Sequence, residues 1–349
     1  MKVALVGRVA TEIELYDGQT VKTRNLYYLL KEIEDFDNVF LVDTYEYKKH
    51  FLKVLFQSFK ILINCDKIIL SVSINGRKFF FPYFYYLNKI FRKDIYHSLI
   101  GGQLVLNIKD HPSWKKYINS FKANWVESRK IVEDLKAIGV NNAEYLPNFK
   151  HIRALTNNEL QNYNKEIFMF CTFSRVQEQK GITDAIEAIK VINNQYRTHI
   201  AELDIYGPID EEYALKFNEL IENNKGIINY RGCINANQSV EIVKNYYALL
   251  FPTTYFNEGI PGTIIDAFAA GVPVIARKWH YCDEMISDKV NGLVYDFDKP
   301  EMLAKIVRFA IDHKELMNKM KINCLKKSRE YMYESVKLQI ADSIKNNGK

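Results

Sequence analysis

Short β-branched runs alternate with helix-length segments along the whole chain, and this alternation constrains the fold more than any other feature. The first half contains MKVALVG, VFLVD, KIILSVS, IYHSLIGG and ANWVES, and the second contains IFMFCTFS, AELDIYG, IINYRG, ALLFP and GVPVIA. Strands separated by helices form parallel sheets that are covered on both faces. Because 349 residues exceed what one compact core usually holds, the sequence predicts an α/β protein with two Rossmann-like domains.

A polar, Asn-rich segment separates the two halves. It spans 151–166 and reads HIRALTNNELQNYNKE, a composition typical of a linker. We therefore expect one domain over 1–150 and a second over 167–329. In doubly wound sheets, ligands bind outside the carboxyl ends of the strands, so the expected site is a cleft between these ends of the two domains.

Composition excludes several classes of protein. Hydrophobic residues make up 48% of the chain and aromatic residues 13%, which indicates a folded protein rather than a disordered one. No apolar run of about 18 residues is present, and the N-terminus does not resemble a signal peptide, so we expect a cytoplasmic protein. The five cysteines are widely spaced and lack a C-x2-C pair, which favours reduced, buried thiols over a metal site.

The basic charge lies in the first half of the chain. Residues 1–150 hold 23 Lys and Arg against 16 Asp and Glu, whereas the remainder holds 25 against 26. We therefore expect phosphates, an anionic membrane surface, or both to meet the first half. No nucleic-acid-binding motif accompanies the charge, so nucleic acid is not an expected partner.

One segment in the second half carries the strongest chemical signal, NEGIPGTIIDAFAAGVPVIA at 257–276. Glu258 opens a Gly-Ile-Pro-Gly turn, and Asp266 follows eight residues later in an apolar run that predicts a helix ending at Gly271. A helix start beside Gly leaves backbone N–H groups free to face a ligand. Two acidic side chains there suit a polyhydroxylated ligand, because their oxygens accept from several hydroxyls. A helix with two incidental acids is the alternative.

This segment resembles the E-x7-E signature of retaining glycosyltransferases with the GT-B fold, above all family 4, which includes bacterial enzymes of polysaccharide biosynthesis. The resemblance implies a GT-B fold, in which two Rossmann-like domains face each other across a cleft. It implies that Glu258 and the turn after it hold the donor sugar, and that Asp266, one methylene shorter than the usual Glu, holds the nucleotide ribose. The turn consists of Gly259, Ile260, Pro261 and Gly262.

The same resemblance implies a role for each domain. The domain over 1–150 would bind the acceptor, and the domain over 167–329 would bind the nucleotide sugar. A C-terminal helix at about 330–349 would pack back on the first domain. The donor is a substrate, and no cofactor is implied.

Two cations upstream of the acidic segment fit the same site. Arg175 follows the strand IFMFCTFS and Lys180 precedes the next helix, which is similar to the family's G-R-L-x3-K-G pattern with Ser174 in place of the Gly. In the family this Arg and Lys bind the donor diphosphate, whose charge two cations and a helix N-terminus can stabilise without a metal. Each could instead be an ordinary surface charge. Farther on, YRGCI resembles the strand after which Ile234 would border the nucleotide base.

The first half holds a weaker candidate loop. Gly18, Gln19 and Thr20 begin a predicted helix at the place where family members have a loop that faces the donor phosphate and the acceptor. Lys22 and Arg24 follow, and free N–H groups with two cations suit phosphate contact. An ordinary turn with a basic helix face is the alternative.

His97 is the candidate catalytic residue of the first half, as Glu258 is of the second. It ends the strand DIYHS, where many family members have a His that touches the donor sugar or the acceptor. A His at the end of a strand can also be purely structural.

Two D-x-D sequences are not expected to bind a metal. In Asp296-Phe297-Asp298 the second Asp precedes Lys-Pro-Glu, which favours a helix N-cap. Asp35-Phe36-Asp37 precedes a strand and is expected to be a loop. The sequence therefore predicts a site without a metal.

Two segments mix Lys and Arg with aromatic and aliphatic residues. KKHFLKVLFQSFKIL at 48–62 is explained at least as well by a core-facing helix as by an interfacial one. RKFFFPYFYYLNKIFRK at 77–93 carries cations at both ends and favours contact with an anionic membrane surface. Such contact suits an acceptor linked to polyprenyl pyrophosphate, and it predicts a peripheral protein on the inner face of the cell membrane.

Taken together, these patterns predict a metal-independent, retaining glycosyltransferase of the hexosyltransferase class. It would move a sugar from a nucleoside-diphosphate sugar to a glycan or lipid-linked glycan in cell-surface polysaccharide synthesis. One alternative is a catalytically silent, glycosyltransferase-like protein that binds a glycan or a partner. Another is an enzyme of the same fold that acts on a free small acceptor such as a sugar phosphate.

Overall fold

The chain folds into two compact units, each built around one parallel sheet. The computed structural model describes residues 1–13, 15 and 17–346, and of Ala236 and Asn346 it describes the backbone alone. The N-terminal unit comprises Met1–Lys150 together with the chain from Tyr333 onward, and the C-terminal unit comprises His151–Met332. The polar segment 151–166 contains a short 3-10 turn, Asn157–Glu159, and belongs to the C-terminal unit.

The sheet of the N-terminal unit has six parallel strands in the order β2-β1-β3-β4-β5-β6. The strands are β1 Lys2–Gly7, β2 Asn38–Asp43, β3 Lys67–Ser71, β4 Asp94–Ser98, β5 Ala123–Val126 and β6 Ala143–Tyr145. The helices between them are α1 Gly18–Lys31, α2 Phe51–Asn64, α3 Ile74–Phe91, α4 Leu104–Asp110, α5 Ser113–Asn119 and α6 Arg129–Ala137. The strand order reverses between β1 and β3, which is where open α/β sheets bind ligands.

The sheet of the C-terminal unit also has six parallel strands, in the order β12-β11-β10-β7-β8-β9. The strands are β7 Phe168–Phe173, β8 Ala201–Tyr206, β9 Ile228–Gly232, β10 Ala248–Phe251, β11 Val274–Arg277 and β12 Gly292–Tyr295. The helices are α7 Ile182–Tyr196, α8 Ala214–Glu222, α9 Ser239–Val243, α10 Gly262–Ala269, α11 Cys282–Met285, α12 Met302–Asp312 and α13 Lys314–Ser328. Here the order reverses between β7 and β10. The α/β prediction with two Rossmann-like domains is therefore confirmed.

The last helix, α14 Tyr333–Asn346, packs on the N-terminal unit. Its residues Val336, Ile340 and Ile344 share a core with strand residues of β1, β4 and β5. The indole Nε1 of Trp125 donates a hydrogen bond to Ser343 Oγ over 2.9 Å. Helix α14 thus completes the core of the N-terminal unit.

Candidate functional site

In the C-terminal unit, the loops after β7 and β10 meet at the reversal point of the sheet. The backbone N–H of Thr254 donates to the carbonyl oxygen of Gln179 over 2.9 Å. Gly181 begins α7 with a φ of +69°, and a Cβ there would overlap the carbonyl oxygen of Pro252. Because only glycine tolerates both conditions, Gly181 allows the two loops to approach this closely.

Lys180 and Glu258, predicted to serve one site from positions far apart in the sequence, form an ion pair there. Both side chains are mostly buried, with 22% of Lys180 and 14% of Glu258 exposed. Thr253 Oγ1 donates a second hydrogen bond to Glu258 Oε1 over 3.3 Å. Arg175 lies on the same loop as Lys180 and is exposed. The edge of the sheet therefore presents a carboxylate and two cations in one place.

The turn after Glu258 is held by the segment that follows β11. The buried indole of Trp279 donates from Nε1 to the carbonyl oxygen of Gly259 over 3.2 Å. Ile260 is buried, and Pro261 precedes α10 as its N-cap residue without a side-chain cap. The N–H groups of the first turn of a helix have no partner within the helix. Thr263 Oγ1 in that turn is buried and has no hydrogen-bond partner among the described residues.

Asp266, the residue expected to hold the nucleotide ribose, is buried in this structure. Its side chain is only 2% exposed, and its Oδ1 accepts a hydrogen bond from Ser239 Oγ over 2.9 Å. Ser239 begins α9 and is itself buried. The Asp266 side chain thus links α10 to α9 in this conformation.

Ile234 follows β9 on the same edge of the sheet and is half-buried. The carboxyl ends of β7, β8 and β9 are tied together through Gly207, whose N–H donates to the carbonyl oxygen of Gly232 over 2.9 Å. Gly207 has a φ of +131°, and a Cβ there would overlap the carbonyl oxygen of Ser174. The residue predicted to border the base is thus two strands away from the loop that carries Lys180.

Arg277 is a feature of this edge that the sequence interpretation missed. It ends β11, is 5% exposed and pairs with Asp184 in the first turn of α7. The guanidinium lies 5.8 Å from the ring centroids of both Tyr295 and Phe297. This pair fixes the start of α7, the helix that follows Lys180. The signal in the sequence was a cation at the end of an otherwise apolar strand.

In the N-terminal unit, a cavity of about 400 Å³ lies at the carboxyl ends of β1, β2 and β3. Of the three residues predicted as the acceptor or phosphate loop, Gln19 lines it together with Arg8, Lys48 and Lys49. Neither Gly18 nor Thr20 lines the cavity, and Thr20 is buried.

The start of α1 is already occupied by a carboxylate. Asp17 accepts from the N–H and the hydroxyl of Thr20 over 3.1 and 2.8 Å, and it pairs with Arg8. An anion placed at this helix start would meet the charge of Asp17. The expectation of phosphate contact by the first N–H groups of α1 is therefore not supported by the structure.

The two cations that follow in α1 are structural as well. Lys22 is buried, donates to the carbonyl oxygen of Leu99 and pairs with Glu127 over 2.5 Å. Arg24 donates to the carbonyl oxygens of Val9, Ala10 and Ile13 and so holds the loop after β1 in place. Neither cation faces a phosphate, which corrects the expectation drawn from the sequence.

His97, the candidate catalytic residue of the first half, has no exposed surface in this conformation. Its Nδ1 lies 3.3 Å from Asn124 Oδ1, its ring packs edge-on against Phe81, and its Nε2 has no partner among the described residues. Burial, and next to it the charge of Arg77, hold the pKa of His97 well below its usual value. The ring is thus a neutral part of the core.

The segment 77–93 is more deeply packed than its composition indicates. Arg77 is 2% exposed and donates to Asn107 Oδ1 over 3.2 Å and to the carbonyl oxygen of Ile100 over 3.0 Å. Phe80, Phe81 and Phe84 are fully buried. The first cation of the segment therefore cannot meet a membrane surface, and three of the eight aromatic rings of the segment belong to the core.

In the D-x-D sequence of the C-terminal unit, the first Asp forms an ion pair with a nearby lysine. Asp296 pairs with Lys299 over 2.6 Å, and α12 begins at Met302 with Glu301, not Asp298, as its N-cap residue. The predicted cap at Asp298 was therefore wrong.

Within residues 1–13, 15 and 17–346, no three His, Cys, Asp or Glu residues are grouped as metal ligands would be. In the same residues, no helix is long and apolar enough to cross a membrane.

Comparison with known proteins relates most of the C-terminal unit to one protein family. Residues 156–327 match the family of glycosyl transferases group 1. The chain is 28% identical over 199 residues to an uncharacterized glycosyltransferase of Methanocaldococcus jannaschii, a match that covers 52% of this chain and 46% of that protein. It is 19% identical over 261 residues to the N,N'-diacetylbacillosaminyl-diphospho-undecaprenol alpha-1,3-N-acetylgalactosaminyltransferase of Campylobacter jejuni, covering 71% of this chain and 64% of that one. The chain thus spans about half to just under two thirds of these relatives.

Among solved structures, Anabaena HepE in complex with UDP is similar over 99% of this chain and 100% of its own, with a TM-score of 0.78 at 14% identity. At this identity the likeness concerns the fold. The two six-stranded parallel sheets described above are those of this fold. The chain therefore has the GT-B fold, and its residues 156–327 match the family of glycosyl transferases group 1.

Proposed function

We propose that this chain is a retaining glycosyltransferase of family 4 that moves a hexosyl group from a nucleoside-diphosphate sugar to a glycan or lipid-linked glycan. The observation that carries the proposal is the Lys180–Glu258 pair at the reversal point between β7 and β10. A cation for a diphosphate and a carboxylate for sugar hydroxyls stand side by side, at the position where doubly wound sheets bind nucleotides. Anabaena HepE, which shares the fold, binds UDP and UDP-glucose, so UDP is the first nucleotide to test.

The diphosphate is assigned to Lys180, Arg175 and the start of α7. Arg175 is exposed and free to turn toward a ligand, whereas Lys180 must exchange Glu258 for the phosphate oxygens. The positive end of α7, fixed by the Arg277–Asp184 pair, adds to this field. Charge that develops on the leaving diphosphate is thus stabilised by protein cations, and the proposal needs no metal for this step.

The sugar is assigned to Glu258 and the turn that follows it. Once Lys180 turns to the diphosphate, the Glu258 oxygens are free to accept from sugar hydroxyls. Gly259, Ile260, Pro261 and Gly262 bring the backbone close to the ligand, and Thr263 Oγ1, buried without a partner, supplies a further polar atom at the helix start. Ile234 is assigned to the base.

Asp266 and His97 enter the proposal as positioning residues. Asp266 joins α10 to α9 through Ser239 and so fixes the helix that carries the sugar-binding turn. His97 fills the core at the end of β4 beside Asn124. Their burial is also the observation that favours a catalytically silent, glycosyltransferase-like binding protein as the second candidate.

The proposed reaction replaces one bond to the anomeric carbon by another on the same face. The bond between this carbon and the diphosphate oxygen breaks, and the acceptor hydroxyl oxygen forms the new bond. The proton of that hydroxyl goes to an oxygen of the leaving diphosphate. Lys180 and Arg175 stabilise the departing charge, and no protein nucleophile is required.

The acceptor is assigned to the N-terminal unit, whose cavity is lined by Gln19 and three cations. The Campylobacter jejuni relative, by its name, acts on an acceptor linked to diphospho-undecaprenol. A lipid-linked acceptor of this kind would place the protein peripherally at the inner face of the cell membrane. The sequence assigned that contact to 77–93, of which Lys78, Tyr86, Lys89, Ile90 and Arg92 are exposed.

Release of nucleoside diphosphate tests the enzyme proposal. Purified protein is incubated with UDP, GDP and dTDP sugars, with and without a polyprenyl-diphosphate-linked glycan, and free diphosphate is measured. We expect turnover with one donor and its loss in Lys180→Met, whereas Lys190→Met, which breaks the exposed Lys190–Glu187 pair on α7, keeps it. If donors bind and none is turned over with any acceptor, the protein is the silent binding protein. Full turnover in Lys180→Met would refute the site.

A further inference from the structure

Helix α2 exposes a continuous apolar stripe on the surface of the N-terminal unit. Leu52, Phe56, Phe59 and Ile63 follow one another at spacings of four, three and four residues, which places them on one side of a helix. Leu52 is 77% exposed, Phe56 59%, Ile63 53% and Phe59 40%. The opposite side, with Val54, Ser58, Ile61 and Leu62, is buried. Helices at the surface of globular proteins normally show polar residues where this one shows the stripe.

Helix α3 extends this surface. Phe59 contacts Phe91 with their ring centroids 5.6 Å apart, so the C-terminal part of α3 lies beside the stripe. Ile90, next to Phe91, is 75% exposed, and Tyr86 one turn before it is exposed as well. We call the exposed side chains of α2 and α3 the α2–α3 face. Its side chains are contiguous through the Phe59–Phe91 contact, unlike apolar residues scattered singly over a surface.

The charged residues of α2 and α3 have a single sign. Neither α2 nor α3 contains Asp or Glu. Lys53, Lys60, Lys78 and Lys89 are exposed, and none forms an ion pair with a carboxylate in the described part of the chain. Lys60 Nζ lies 4.7 Å from the ring centroid of Phe56, and Lys89 Nζ lies 4.9 Å from that of Tyr85. Such lysines lay their stems along apolar surface and extend the ammonium group beyond it.

We propose that the α2–α3 face lies on an anionic bilayer, with α2 parallel to the membrane. The four side chains of the stripe enter the boundary between headgroups and acyl chains, and the lysines meet the anionic headgroups. The proposal deepens the proposed function, since an acceptor carried on a lipid remains in that bilayer. It moves the principal contact from 77–93 to α2.

The charges of the α2–α3 face favour a membrane over a second copy of this chain as its partner. A dimer formed through this face would bring the lysines of two copies together without an acid to pair with them, and like charges repel. An anionic lipid surface supplies the missing opposite charge over the whole face. The attraction adds to apolar burial, as in other interfacial helices.

Vesicle binding by the full chain tests the proposal. The protein is centrifuged with vesicles of phosphatidylcholine alone and of phosphatidylcholine with about one third phosphatidylglycerol. We expect binding to the anionic vesicles, weakened by salt, and a loss of about tenfold or more in Leu52→Gln/Phe56→Gln. The control is Leu215→Gln on α8, because Leu215 is 88% exposed and lies outside the face.

Three outcomes would overturn the proposal. The first is anionic-vesicle binding by Leu52→Gln/Phe56→Gln that equals binding by Leu215→Gln. The second is binding that Lys53→Glu/Lys60→Glu leaves unchanged. The third is that the wild-type protein sediments as a dimer and does not bind vesicles, while Leu52→Gln/Phe56→Gln sediments as a monomer. This result would assign the face to self-association.

Donor binding separates this proposal from the proposed function. UDP is titrated into wild type and into Leu52→Gln/Phe56→Gln without vesicles, and we expect equal affinity, because α2 belongs to the unit without Lys180 and Glu258. If vesicles bind and no nucleotide does, the membrane face stands and the enzyme proposal fails. If a donor is turned over and no vesicle binds, the enzyme proposal stands and the membrane face fails.

Discussion

Replacing Glu258 by Gln should strengthen the binding of a free nucleoside diphosphate while it weakens the binding of the sugar donor. Without ligand, the Lys180 ammonium is bonded to Glu258. A diphosphate that recruits Lys180 must first compete with this carboxylate, and it then stands near an uncompensated negative charge. Gln keeps the shape of the side chain and removes the charge, so the competition becomes weaker.

The size of the effect follows from the exposure of the pair. With 22% and 14% of the two side chains exposed, solvent screens part of the attraction, and a partly exposed pair contributes about 0.5–1 kcal/mol. The dissociation constant for UDP should therefore fall by a factor of about 2–5. The donor also loses hydrogen bonds between its hydroxyls and a charged acceptor, worth about 1.5–3 kcal/mol. Because the diphosphate of the donor gains the same amount of about 0.5–1 kcal/mol, the net loss is about 0.5–2.5 kcal/mol, so the donor affinity should fall by a factor of about 2–70, and turnover should fall with it.

Calorimetric titration of UDP and of the UDP-sugar, at low and at high salt, measures both effects. The control is Glu178→Gln, which removes the exposed pair of Glu178 with Lys216 on α8, where the N···O distance is 2.8 Å. Glu178 lies in the same 3-10 turn as Lys180, Glu178–Lys180. We expect this control to leave both affinities within a factor of about two. If Glu258→Gln binds UDP more weakly than wild type does, Glu258 does not compete with the diphosphate, and the assignment of Lys180 to the phosphates is refuted.

Three further substitutions test the packing around Gly181, His97 and Asp266. Gly181→Ala adds a Cβ against the Pro252 carbonyl at a left-handed φ, so urea unfolding of the C-terminal unit should show a loss of about 2 kcal/mol or more, and an unchanged stability would contradict the geometry. His97 is buried with its pKa well below the usual value, so the unfolded chain binds its proton first. The contribution of His97 to the free energy of unfolding is complete above about pH 6.5. It is lost as the pH falls toward 5, by at most about 1.4 kcal/mol per pH unit. His97→Gln should flatten this part of the profile of unfolding free energy against pH. Asp266→Ala leaves the buried Ser239 hydroxyl without its acceptor and should cost about 1–3 kcal/mol; an additive double variant with Ser239→Ala would show that the two do not interact.

The sequence predicts the fold and the Lys180–Glu258 pair because both are encoded locally. Alternation of β-branched runs and helices is a property of short windows, and it leads directly to two parallel sheets. The strand before Lys180 and the strand before Glu258 are adjacent in the sheet, since β7 pairs with β10. Residues that directly follow adjacent parallel strands emerge at the same edge. The two side chains therefore meet although 78 positions separate them.

The sequence does not predict which charges are already satisfied. Lys22 follows a candidate loop and looks available, but its partner Glu127 lies 105 positions away. Arg24 looks like a cation of a helix face and instead holds three carbonyl groups of the loop after β1. A charge that stabilises its own fold and a charge that binds a ligand have the same letter in the sequence. Only the tertiary neighbours distinguish them.

The two basic, aromatic segments show why composition assigned the membrane contact to 77–93 instead of α2. Helix α2 is apolar on two sides, and a sheet can bury only one of them. From the sequence, such a helix is explained at least as well by the core as by a membrane surface, and both interpretations of 48–62 therefore stay open at that stage. In the structure Val54, Ile61 and Leu62 take the inner side, so the side with Leu52 and Phe56 remains uncovered. Three of the eight aromatic side chains of 77–93 fill the core, whereas the apolar side chains of α2 exceed what the core can accept, and this excess is what a bilayer would bury.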